Sequence, residues 1–185
     1  VAIANQVQFL LQMVVTGAAS GMGVIISQYW GKRQTEPIRR VFAVGFWISI
    51  ILSGVMSLVV WFKPYWVMGL LTNEQSIIPS GVEYLKIMVF SYLMFSISNS
   101  LLGVMRSVET VRIGFYISLS TLLINIFLNY ALIYGHFGAP ELEVKGAAYA
   151  TLTSRAVEFL VSVIYCRLID KKLRLKFKDV FAVKR

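Results

Sequence analysis

Apolar residues come in five long runs along this chain, separated by short polar stretches. The runs cover residues 1–30, 41–62, about 87–105, 113 to about 135, and about 144–169. The first two carry no charge, and the last encloses Arg155 and Glu158. A run of about 22 residues makes a helix about 33 Å long, enough to cross a hydrocarbon core of about 30 Å. The strict alternation of barrel strands is absent. The pattern therefore predicts an all-α integral membrane protein with five transmembrane helices. Pro37, Pro64, Pro79 and Pro140 all fall between the runs, where a missing N–H costs little.

Within the runs, polar positions recur every three or four residues and so share helix faces. Asn5, Gln8, Gln12, Thr16 and Ser20 stripe the first, beside a Gly17/Gly21 notch followed by Gly23. Gln8, Gln12 and Thr16 are candidates for the wall of a polar cavity; the same stripe could also serve helix packing. Gly45, Ser49, Ser53 and Ser57 make a small-residue seam in the second, and Asn99, Gly103 and Arg106 share a face of the third. Ser118, Thr121, Asn125 and Asn129 line up in the fourth. A carboxamide in lipid leaves its donors and acceptors unsatisfied, so these asparagines must face protein, water or a ligand. The fifth run offers Thr151, Arg155, Glu158 and Ser162, with a close-approach edge of Gly146, Ala150 and Ser154. Arg155 and Glu158 lie near mid-membrane, where a charge costs about 2.5–3.5 kcal/mol on insertion scales. Their spacing lets them pair.

Composition sharpens this picture. The chain is 57% hydrophobic and carries a net charge of +9. The excess charge is not one stripe, as a nucleic-acid surface requires. GKRQTEPIRR has four basic residues and one acid, MRSVETVR has two and one, and the tail from Arg167 has eight and two. The intervening connections are balanced or acidic. By the positive-inside rule the basic connections and tail lie inside and the other two outside. An outside start and an odd number of spans imply an earlier helix, so the sequence reads as part of a longer transporter. Cys166 alone makes neither a disulfide framework nor a metal site, and packing is its expected role. His136 falls in an outside connection without partners in register. No phosphate loop, zinc spacing or nucleophile motif points to an enzyme.

The chain resembles the multidrug and toxic compound extrusion (MATE) family over nearly its whole length. The words that carry the resemblance are GMGVIISQYWGKRQ, LLTNEQSIIPSGVEYLKI, LLGVMRSVETVR and LINIFLNYALIYGHFGAPELEVKGAAYATLTSR. The resemblance implies five of the six helices of an amino-terminal lobe over residues 1–168. Residues 169–185 would be a basic cytoplasmic linker to a second lobe. It further implies a multi-pass, monomeric transporter of a bacterial plasma membrane. Such a transporter exports cationic or amphipathic small molecules by alternating access, in exchange for sodium ions or protons and without a cofactor. Asn125 and Thr151 match an asparagine and a threonine of a coupling-ion cluster known in some branches. Asn129 stands at a position that is aspartate there and cannot ionise, so these three could offer oxygens to sodium but carry no proton. A glycine-rich LRGxGD-like word of the family is here MRSVET, with Glu109 near the acidic position.

Two alternatives remain open at this stage. A lipid-linked saccharide flippase of the same superfamily would need basic stripes facing the cavity, and only Arg155 is basic within a span. A non-transporting truncated membrane module is the other.

Overall fold

The computed structural model describes residues 2–135 and 143–169. His136, Pro140, Glu141 and the basic tail beyond residue 169 lie outside the described residues. The elements are α1 (Ala2–Gly31), α2 (Thr35–Phe62), α3 (Pro64–Leu71), α4 (Ile78–Ser107), α5 (Val111–Tyr134) and α6 (Glu143–Ile164). A π-helical turn at Tyr165–Ile169 continues α6. All the described elements are helical, and five are long and apolar enough to span a membrane.

Helices outrun the apolar runs at their ends. α2 starts at Thr35, so Arg39 and Arg40 lie inside it and Glu36 occupies its first turn, where the helix dipole favours an acid. α4 begins nine residues before its apolar run, taking in Glu83 and Lys86. The described prolines, Pro37, Pro64 and Pro79, accordingly sit in first turns rather than loops. Pro64 opens α3 and Pro79 lies at the start of α4, positions whose N–H groups have no intrahelical acceptor. Eight-residue α3 is too short to span. It buries Val67 and Met68 against α4 and leaves Tyr65, Trp66 and Leu70 exposed, the amphipathic aromatic pattern of a membrane–water interface.

The turns α1–α2 and α4–α5 share one cap. Arg33 and Glu109 adopt left-handed conformations with φ of 57° and 60°. The Gln34 N–H donates to the Tyr29 carbonyl (3.0 Å) and the Arg33 N–H to that of Trp30 (2.9 Å). The Thr110 N–H likewise donates to Met105 (2.9 Å) and the Glu109 N–H to Arg106 (3.3 Å). Both are Schellman closures, which glycine usually supplies. MRSVET thus builds a tight turn with glutamate in the left-handed place.

α4 is the hub, packing on α1, α2, α3 and α6 with 61% of its apolar window buried. α5 leans chiefly on α6 and buries only 17%. Two apolar clusters fill the bundle. One joins Ala4, Leu11 and Val15 to Leu85, Met88 and Ala148; the other joins Met22, Ile26 and Phe42 to Val104, Met105 and Cys166. The Cys166 Sγ lies 3.6 Å from Met105 Sδ, so the thiol is a packing group. Gly45, Ser49, Ser53 and Ser57 are buried on α2, and Gly45 seats Met22. A Cβ at Gly17 or Gly21 would meet nothing within 4 Å among the described residues, whereas one at Gly23 would meet the Ser107 hydroxyl.

The alternating loop charges predict opposite sides for Glu74 and Glu109. Single cysteines there, in the whole protein with Cys166→Ser, are expected to react with an impermeant thiol reagent from opposite faces of the membrane. Labelling of both from one face would break the topology.

Candidate functional site

α1 and α5 are not close neighbours, although both flank the α4–α6 pair. The gap between them is a cleft of about 550 Å³ with α1 and α5 as walls and α4 and α6 behind. Its lining includes Gln8 and Gln12 from α1, Tyr84 from α4, Thr121, Asn125 and Asn129 from α5, and Thr151, Arg155 and Glu158 from α6. The volume falls in the range of small-molecule sites, about 300–1,000 Å³.

Sequence periodicity explains the convergence. Each four-residue step turns a helix by about 400°, so a stripe at i, i+4 drifts by about 40° per step. The short stripes on α5 and α6 stay within one face. On α1, Gln8 and Gln12 reach the cleft, but Thr16, about 6 Å further along the axis at 1.5 Å per residue, is exposed and does not line it. Tyr84 and Phe95 are the residues the sequence did not single out. Tyr84 lies in a stretch that reads as an outer connection but is helical, and it lines the cleft together with Thr151.

The two asparagines satisfy each other in part. Asn129 Nδ2 donates to Asn125 Oδ1 at 2.9 Å, one helical turn away. The Thr151 hydroxyl donates to the Ala147 carbonyl at 3.0 Å, leaving its oxygen lone pairs toward the cleft. Arg155 and Glu158 lie inward of Thr151 along α6, by about 6 Å and about 10 Å at 1.5 Å per residue. Arg155 Nη1 donates to Glu158 Oε2 at 2.7 Å, and the guanidinium lies 4.8 Å from the centroid of the Phe95 ring. Glu158 is 6% exposed. Gln8 is equally buried, at 6%, and its Oε1 has no hydrogen-bond partner among the described residues. The cleft therefore has an outer tier of neutral carboxamides and hydroxyls and an inner tier holding one charge of each sign.

A bundle of membrane-length helices around a polar cleft defines a multi-pass membrane protein. The chain belongs to the MatE family, which it matches over residues 1–131. It is 30% identical over 157 residues to a "Probable multidrug resistance protein NorM" of Thermotoga maritima, covering 85% of this chain and 34% of that one. It is 24% identical over 183 residues to the "Uncharacterized transporter YisQ" of Bacillus subtilis, covering 98% of this chain and 40% of that one. The chain thus spans about a third to two-fifths of the length of these bacterial relatives. Two solved structures share its fold over 96% of the chain and 40% of their own. They are an inward-facing and an outward-facing multidrug resistance MATE family transporter of the MOP superfamily. TM-scores are 0.84 and 0.77, at 19% and 21% identity. The fold is that of a MATE lobe.

Proposed function

We propose that the chain forms part of a secondary antiporter of a bacterial plasma membrane. It would export cationic or amphipathic small molecules in exchange for sodium ions or protons by alternating access, as a monomer with a second lobe. The observation that carries this reading is the polar cleft at mid-membrane with a charged pair inside it. Intramembrane ionisable residues are costly and mark ion or substrate paths. In this reading Asn125, Asn129 and Thr151 offer neutral oxygens to a coupling cation at the outer tier. A further helix of the lobe would close the cleft between α1 and α5. Charge argues against the flippase alternative. An anionic lipid-linked saccharide calls for unpaired basic groups, whereas the cleft's one basic residue among those described is already bound to Glu158.

The test is efflux of a fluorescent cationic dye from cells making the whole transporter, across sodium concentration and pH. Asn129→Asp adds a nearly isosteric carboxylate, whose charge strengthens attraction for a cation in a partly buried site. It is expected to shift the sodium or pH dependence with folding intact. Asn129→Leu is expected to abolish that dependence. As a mere packing contact the residue would cost little, since interhelical hydrogen bonds average about 0.6 kcal/mol. Unchanged ion dependence in both variants at matched expression would reduce Asn129 to packing.

A further inference from the structure

The inner tier of the cleft differs from the outer one in kind. Among the described lining residues Arg155 and Glu158 are the only charged groups, and no charged side chain of α1, α4 or α5 joins them. The Glu158 carboxylate is therefore the cleft's one strong attractor for a cation, and the protein has already filled it. The guanidinium that donates to Glu158 also lies against the face of Phe95, so the ring quadrupole shares in holding it. Its side chain is 22% exposed toward the cleft while that of Glu158 is 8%. A second acceptor, Gln8 Oε1, is buried and has no hydrogen-bond partner among the described residues. The cleft thus holds a carboxylate with one cationic donor and a carboxamide oxygen with none.

We propose that Arg155 is an internal cation that competes with the substrate for Glu158. A guest carrying a cationic N–H group, such as an amidinium, guanidinium or protonated amine, takes the Glu158 oxygen. Arg155 gives up its hydrogen bond to Glu158 and is then held by the Phe95 ring alone. The exchange leaves the pair's own charge balanced, so the guest adds one positive charge to the cleft. A cation without N–H donors cannot replace the hydrogen bond that Arg155 gives up, and Arg155 therefore selects donor-bearing cations over the rest. Charge repulsion from the displaced guanidinium also keeps binding loose, which suits a site that must release its cargo. The inference rests on the cleft binding the transported cation, and it assigns Arg155 and Phe95 roles in specificity rather than in ion coupling.

Equilibrium binding to the purified whole transporter tests it with two probes. DAPI is a rigid diamidine with N–H donors, and tetraphenylphosphonium is a cation with none. Arg155→Met removes the competitor and is expected to tighten DAPI binding about tenfold, the size of one charge-assisted hydrogen bond, and tetraphenylphosphonium binding much less. Glu158→Gln is expected to erase the preference for DAPI. Phe95→Leu, apolar for apolar, removes the ring that holds the displaced guanidinium. It should weaken DAPI binding when Arg155 is present and change little beside Arg155→Met. Should Arg155→Met fail to fold, Arg155→Gln keeps a hydrogen bond to Glu158 without the charge and carries the same expectation. DAPI affinity that falls or stays constant when the Arg155 charge is removed overturns the proposal, as does absence of DAPI binding in every variant. DAPI efflux from cells separates the two readings. No efflux with the expected binding pattern overturns the transport reading alone; efflux with no effect of Arg155 on binding overturns the exchange alone.

Discussion

Arg155→Met alone is expected to cost about 3 kcal/mol of stability, near the lower end of what removing one partner of a buried ion pair costs. The reason is the fate of the partner left behind. Glu158 is 6% exposed and would keep its carboxylate in the cleft with no cation facing it among the described residues. The reverse change, Glu158→Gln, is expected to cost less. The guanidinium it strands still has the Phe95 ring at 4.8 Å and the 22% of its side chain that the cleft leaves exposed. Removing both charges with Arg155→Met and Glu158→Leu is expected to recover most of the loss, because a buried pair replaced by apolar groups of similar volume is often neutral or stabilising. Thermal unfolding of the wild type, Arg155→Met, Glu158→Gln, Glu158→Leu and the double variant in one detergent measures the cycle. Strictly additive losses, or Glu158→Gln costing more than Arg155→Met, would show that the two side chains are held by other groups.

How much of this was legible in the sequence depends on the scale of the feature. Hydropathy placed all five long helices, because a membrane span is an average over about 20 residues. It misplaced their ends: a helix does not stop where apolarity stops, and α4 carries Glu83 and Lys86 inside its outer turns. The same blindness hid α3, whose eight residues lie below any span-length window. Local pairings at i, i+3 and i, i+4 were readable, since one helix fixes both ends. Asn125 with Asn129 and Arg155 with Glu158 are both of this kind. Contacts between helices were not. Phe95 under Arg155 and Tyr84 at Thr151 depend on how α4 rotates against α6, which no single-helix pattern encodes. Thr16 fell outside through depth: it shares a face with Gln12 and Phe9 but lies about 6 Å beyond Gln12 along the axis, and periodicity alone does not tell where a cleft ends.

Glycine shows the same limit and leads to the other large expected effect, at Gly146. The GxxxG spacing drew attention to Gly17 and Gly21, yet a Cβ at either would meet nothing within 4 Å among the described residues. A Cβ at Gly146 would lie 2.5 Å from the Leu132 carbonyl oxygen and 2.8 Å from its carbon, atoms of the α5 backbone. A flexible side chain could turn aside, as Met22 can at Gly45, but a backbone cannot. Gly146→Ala must therefore push α5 from α6, and α6 is the main neighbour α5 has. Overpacking costs about 1–3 kcal/mol, and Gly146→Val, with two more methyl groups in the same space, is expected to exceed that range. The displacement would also carry Asn125 and Asn129 away from Thr151, since α5 bears the first two and α6 the third. Dye efflux should consequently fall further than the loss of folded protein explains. Gly54→Ala, where a Cβ meets nothing within 4 Å, supplies the control and is expected to be neutral or slightly stabilising through helix propensity. Thermal unfolding with efflux at matched expression decides the matter. A Gly146→Val protein that melts and transports like the wild type would mean that α5 and α6 do not meet at this glycine.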